Sequence, residues 1–375
     1  MGLATLAAAV LAAAAGSSTV SSADPVTRPA APPATAASDP LFGVVWRKSL
    51  VEAGLLEYRP FEPAGPVVDP VTRMVVVGTR DGHVHAFNPD GTLLWYYVGQ
   101  APYMAPPAVA EDLVFIGGTD GKILALERAT GELRWKREYR EVMGSQPLVD
   151  GGIVYVATLE GTVIALDAAT GEWKWHFRRE PIGKFTILGT GRPAVRDGVL
   201  YHGLSDGSVV ALDARSGAVK WDRRIGRGDY PDVDASVQLG RDRVFVASYG
   251  GQVAALDAAT GATIWEARVP YAYKLGMAGD VLHAVSTTAV VGLSTRDGKE
   301  LWSTPLEGMP FGEPVLAKDM LLVPATRGLL VLDARSGRKL RFFTRGSGAT
   351  GSPAVSGNRV YVLSNAGELV AVDLR

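Results

Sequence analysis

The chain contains no cysteine. That excludes disulfides and thiolate metal sites. It leaves the compartment open, because exported proteins need not carry disulfides. Histidine is scarce, with five in 375 residues. His83 and His85 are the only two close in sequence, and they share one side of a strand. No third ligand is recognisable nearby, so no metal site is expected. Excess charge of one sign is also missing. The 38 basic and 39 acidic side chains leave a net charge of −1, which removes the global case for a nucleic-acid binder. Long hydrophobic runs are absent too. Leu3 to Ala15 is thirteen mostly apolar residues, too short to span a bilayer as a helix. It ends in Ala13-Ala14-Ala15-Gly16, the small-residue pattern of a signal cleavage site, although Met1-Gly2 ahead of it carries no Lys or Arg. We therefore expect residues 1–16 to be a signal-like segment and the chain to be exported. Residues 17–41 are mostly Ser, Thr, Ala and Pro and read as a flexible tether.

Glycine and proline are plentiful, at 44 and 23, and suit a fold with many tight turns. The chain also repeats itself. Ala165-Leu166-Asp167-Ala168-Ala169-Thr170-Gly171, followed by Trp175, returns as Ala211 to Gly217 with Trp221 and as Ala255 to Gly261 with Trp265. Looser copies run from Ala125 through Gly131 to Trp135, and from Val331 through Gly337 to Arg341. A fixed period near forty residues means one structural unit copied several times.

Each copy predicts a four-stranded antiparallel meander. In one of them Gln146 to Val149 opens a short strand, and Ile153 to Thr158, β-branched and aromatic, is the second. Glu160-Gly161 reads as a two-residue hairpin loop, matched by Asp81-Gly82, Asp120-Gly121, Asp206-Gly207 and Gly250-Gly251. A type I′ turn is expected there, with positive φ at both positions. Thr162 to Asp167 is the third strand and Glu172 to Phe177 the fourth. The Asp of the repeat is expected to accept turn N–H groups, the Gly to take the left-handed position, and the Trp to pack on a neighbouring copy. A lone sheet of this kind leaves both faces uncovered. Radial repetition covers them, as in a β-propeller.

Trp95, Trp135, Trp175, Trp221, Trp265 and Trp302, then Arg341, mark seven fourth strands. The last copy, Ser352 to Arg375, stops after three strands, while Phe42 to Arg47, with Trp46, looks like a fourth strand without its first three. Joined, they make an eighth blade. We expect an all-β, eight-bladed propeller over residues 42–375, closed by its N-terminal strand.

Local motifs do not argue for catalysis. Gly203-Leu204-Ser205-Asp206-Gly207 matches G-x-S-x-G, but lies in a hairpin, whereas the hydrolase nucleophile needs a strand-to-helix turn. Arg178-Arg179, Arg223-Arg224-Arg227 and Arg338-Lys339-Arg341 read as solvated strand ends or, if they shared a face, a basic patch. Gly189-Thr190-Gly191 and Gly346-Ser347-Gly348 lack the strand–helix context of a phosphate cradle. No catalytic residue, metal or cofactor is expected. Two connections are long, Glu180 to Gly191 and Gly226 to Asp234, and loops on a rigid scaffold are where function tends to sit.

The A-L-D-A-x-T-G-x-x-x-W repeat resembles the pyrroloquinoline-quinone (PQQ) type propeller repeat over essentially all of residues 42–375. One branch of that superfamily, the quinoprotein dehydrogenases, is larger, and many members carry adjacent cysteines that this chain lacks. The other branch, the BamB family of the outer-membrane β-barrel assembly machinery, is more similar in length and closure. Asp232-Val233-Asp234 looks like the D-V-D motif of that family, and Val246 to Gly251 resembles it as well. Phe185-Thr186-Ile187-Leu188-Gly189 falls where the family presents a loop to the barrel insertase, with Leu188 where the family has Arg. Ala14 stands where its lipid-anchored members carry Cys. The resemblance implies a non-enzymatic periplasmic scaffold whose partners are a BamA-like insertase and unfolded outer-membrane proteins. Phe185, Ile187 and Leu188 would be apolar anchors. Asp232 and Asp234 would either fix the neighbouring loop or pair with basic groups of the partner. The alternatives are a quinoprotein-type enzyme or small-ligand binder using the central channel, and an exported propeller with another binding role.

Overall fold

A computed structural model describes residues 41–51, 61–179, 190–343 and 348–375. Every regular element in these segments is a strand, and the strands form eight four-stranded antiparallel sheets. Seven sheets are consecutive meanders. The third, for example, runs Leu148–Asp150, Ile153–Ala157, Thr162–Asp167 and Trp173–Arg178. The eighth joins Ala354–Ser356, Arg359–Leu363 and Glu368–Leu374 to Phe42–Ser49, whose register runs from Phe42 opposite Leu374 to Ser49 opposite Glu368. The chain ends thus close the ring by main-chain pairing.

The core is divided among the seams. Eight apolar clusters occur, one between each pair of neighbouring blades. Val154, Val156, Ile164 and Leu166 of the third blade face Phe115, Ile123 and Trp135 of the second. Val75, Val77 and Phe87 of the first blade face Tyr361, Leu369 and Ala371 of the eighth. The strands are buried on both faces, so their second and third members read as continuous apolar runs.

The repeat phrase explains the seam. Asp167 Oδ1 accepts from the backbone N–H of Ala169 (3.1 Å) and of Thr170 (3.0 Å), and Asp213, Asp257 and Asp333 do the same in their copies. Gly171 sits at φ +70°, a conformation that favours glycine. A bulge opposite Ala165 and Leu166 turns the fourth strand so that Trp175 faces the next blade. Its ring packs over Gly217, and its Nε1–H donates to Ala214 O at 3.0 Å. Trp46, Trp95, Trp135, Trp221 and Trp265 make the matching bond to Pro89, Arg128, Ala168, Ala258 and Thr295. Trp302 lies over Gly337, but its Nε1 has no acceptor among the described residues. His283 Nε2 lies 2.7 Å from Ala334 O in the place where Tyr155 and Tyr201 donate through their hydroxyls.

The hairpin tips differ from the type I′ expectation. Thr79 N donates to His83 O, and Gly82 N to Thr79 O. Only Gly82 has positive φ (+86°), whereas Asp81 does not. The tip is a four-residue connection ending in a left-handed glycine, and Asp81 Oδ1 accepts from the N–H of His83 at 3.3 Å.

Candidate functional site

The antiparallel order of each blade puts the hairpin tips between second and third strands on the same face as the connections from one blade to the next. Of the two long connections picked out from sequence, 226–234 belongs to this face. Phe185, Ile187 and Leu188 lie outside the described residues. The connection 226–234 is described, and it is held at several points. Gly226 N donates to Gly207 O (2.8 Å), Val233 N to Leu204 O (3.1 Å), and Tyr249 N to Asp232 O (2.9 Å). Ser248 Oγ donates to Pro231 O at 2.9 Å. Gly226 lies so close to Pro231 that a Cβ there would stand 1.9 Å from its carbonyl oxygen. The loop therefore bridges the hairpins of the fourth and fifth blades. Gly203 to Gly207 is part of this clamp, with Leu204 N bonded to Ser208 O across the hairpin tip, and has no helix after it.

Asp232 and Asp234 are both buried beneath this loop. Burial, and then the neighbouring Asp232 charge, push the Asp234 carboxyl well above the usual range, while Lys274 opposes the shift. A folded-state pKa above the unfolded value near 3.8 means that wild-type stability is lost as pH rises through the folded value. Asp234→Asn removes that loss. We expect it to raise Tm at pH 7, with the gain shrinking toward pH 4. Thermal scans across that range test this, and a gain independent of pH would assign the effect to something other than charge.

The exposed residues of the loop, Arg227 to Tyr230, include one aromatic side chain. Tyr230 is 49% exposed and Tyr271 is 52% exposed. The Tyr249 ring lies between them, 6.3 Å from Tyr230 and 5.5 Å from Tyr271, with Tyr273 at 6.0 Å. Sequence reading missed this cluster, because its members come from three separate connections. Three of the arginines picked out from sequence are ion-paired. Arg227 pairs with Glu266 at 3.0 Å, Arg178 with Glu141 at 3.3 Å, and Arg179 with Asp206 and Asp222. They form ion pairs along strand ends instead of an open basic patch. His83 is 2.8 Å from Asp81, and His85 stacks on Tyr96, with the two imidazoles edge to face at 6.0 Å between centroids.

Comparison with known proteins follows the architecture. BamB from Moraxella catarrhalis matches with a TM-score of 0.78 at 23% identity, over 89% of this chain and 100% of that one. A quinohemoprotein alcohol dehydrogenase from Pseudomonas putida matches with a TM-score of 0.70 at 16% identity, over 89% of this chain and 76% of that one. At such identities these likenesses establish the fold. A curated relative from Burkholderia pseudomallei, outer membrane protein assembly factor BamB, is 35% identical over 69 residues. That stretch is 18% of each chain. The family described as outer membrane protein assembly factor BamB matches residues 80–249 and 251–375. This chain, most of whose length that match covers, belongs to the BamB family.

Proposed function

We propose that this protein is a non-enzymatic scaffold of the periplasm that docks on a BamA-like β-barrel insertase and assists the assembly of outer-membrane proteins. The observation that carries the reading is the connection 226–234. It is clamped onto two blades, and it leaves Tyr230 half-exposed beside Tyr249 and Tyr271. Rigid aromatic side chains on a fixed loop bind a partner with little loss of conformational freedom. Family membership supplies the class of partner. The apolar anchors would be Phe185, Ile187 and Leu188 on the other long connection, with Asp232 and Asp234 holding their own loop in shape. Residues 1–16 would direct export and 17–41 would act as a tether.

Affinity isolation of the tagged full chain from cell envelopes tests the proposal. Recovery of a barrel-assembly component is expected. Phe185→Ala with Ile187→Ala is expected to cut recovery at least fivefold without changing Tm. Isolation that yields no such component from envelopes containing the insertase would overturn it.

A further inference from the structure

The ring encloses a central cavity of about 690 Å³, within the range of small-molecule sites. Near one end of it, each blade contributes one equivalent residue. Register defines the position. It lies two places before the first-strand residue that pairs with Tyr155, Tyr201, Phe245, His283, Leu322 or Tyr361. In those six blades the residues are Gln146, Arg192, Ser236, Lys274, Glu313 and Ser352. In the two remaining blades the position is Gly65 or Pro106. One side of the ring is thus small and apolar, and the other is charged.

The charged side is wired together except at two atoms. Arg192 N donates to Ser236 Oγ at 3.0 Å, and Ser236 Oγ donates to Glu313 Oε1 at 2.8 Å. Lys274 Nζ reaches the same Oε1 at 3.3 Å, and Glu313 N donates to Ser352 Oγ at 2.8 Å. These bonds fix the Glu313 carboxylate and match Lys274 with an anion. Glu313 Oε2 is nonetheless buried without a hydrogen bond, and so is Arg192 Nε. The Arg192 guanidinium has no acceptor or ion-pair partner among the described residues, although it lines the cavity. Buried polar atoms are almost always satisfied. A guanidinium offers a planar fork of donors suited to a carboxylate, and Glu313 Oε2 offers a single acceptor. The remaining wall is mixed, with Met104, Val195, Leu239 and Met277 beside Gln146 and Gln238.

We propose that this end of the channel binds a small organic acid, its carboxylate on Arg192 and an adjacent hydroxyl or amine donor on Glu313 Oε2. Arg192 and Ser236 closely follow the two long connections in sequence, but binding of the acid does not depend on how the chain engages its partner.

Calorimetric titration of the full chain with malate, succinate and phosphate is the test. Malate carries the donor and succinate lacks it. Malate should saturate the protein and bind more tightly than succinate, with phosphate weaker than either. Arg192→Met should weaken malate at least tenfold and, in the absence of acid, should not lower Tm, because the desolvated cation removed has no hydrogen bond on its Nε and only the more distant Glu313 charge to offset its burial. Glu313→Gln should keep its oxygen toward Ser236 and Lys274 and turn its amide N–H₂ toward the ligand, so the preference for malate over succinate should vanish. No saturable binding of malate to the wild-type protein at tens of millimolar would overturn the proposal. So would malate binding unchanged in Arg192→Met, or phosphate outcompeting malate. A fall of several degrees in the Tm of Arg192→Met would show that the arginine is part of the scaffold and would likewise sink the idea.

Discussion

Removing residues 41–51 should abolish cooperative folding. The strand Phe42–Ser49 supplies the whole fourth member of the eighth blade and pairs along its length with Glu368–Leu374. Its loss would expose an unpaired central edge and open the core on both sides. On one side, Phe42 packs against Phe343, ring centroids 5.1 Å apart, within the seam to the seventh blade. On the other, Trp46 covers Gly91, donates to Pro89 O at 2.8 Å, and packs beside Tyr361. A propeller is cooperative because each seam needs both of its blades, so an open ring exposes two apolar faces at once. The truncated chain should show no sharp thermal transition and should aggregate. Trp46→Ala alone should cost roughly 3–5 kcal/mol, as expected for emptying the site of a large, mostly buried side chain. The converse also follows. Arg375 N donates to Leu41 O at 3.0 Å, so the two ends already meet. A circular permutant that joins residue 375 to residue 41 through a short glycine linker, and opens the ring at the exposed turn 151–152, should fold and unfold as one unit. A truncated chain that melts at the wild-type temperature would refute the closure argument.

The fold was legible because its unit is local. The strand Thr162–Asp167 is bounded by turn residues on both sides and was readable to the residue. The half-blades at the two ends were readable because each lacked what the other had. What escaped depended on contacts between copies. The Asp-Gly dipeptides suggested type I′ turns, yet the connection begins two residues earlier, at Thr79, where Thr79 Oγ1 also bonds Asp81. His283 read as an isolated histidine. Only its place in the blade shows that it replaces a tyrosine over Trp302. Asp232 and Asp234 read as loop charges open to two roles, and both are buried, which spacing does not reveal. For the channel ring a signal was present. Gln146-Pro147, Arg192-Pro193, Glu313-Pro314 and Ser352-Pro353 set a changing residue before a proline at the start of a blade, although Ser236 and Lys274 precede Val237 and Leu275. Variation at a fixed place in a repeat marks a position that the scaffold leaves free.

The same reasoning ranks the glycines. Gly171 and Gly198 have almost the same backbone, φ +70° and +71°. Around Gly198 nothing lies within 4 Å of an added Cβ, whereas at Gly171 it would stand 2.6 Å from the Trp135 ring. Gly198→Val therefore carries only the left-handed strain, on the order of 1–2 kcal/mol. Gly171→Val carries that strain and must also displace Trp135, breaking its bond to Ala168 O and loosening the seam between second and third blades. Overpacking adds a further 1–3 kcal/mol, so the total should be roughly 2–5 kcal/mol and the fall in Tm on the order of 4–10 °C. The excess over Gly198→Val isolates the packing contribution, since the backbone contribution is common to both. Adding Trp135→Ala to each variant completes a double-mutant cycle. With Gly198→Val the two losses should add. With Gly171→Val they should not, because the ring that the valine displaces is already gone. Equal destabilisation by the two valines, or full additivity at Gly171, would mean that the repeat keeps its glycine for the turn alone and that the tryptophan does not depend on it.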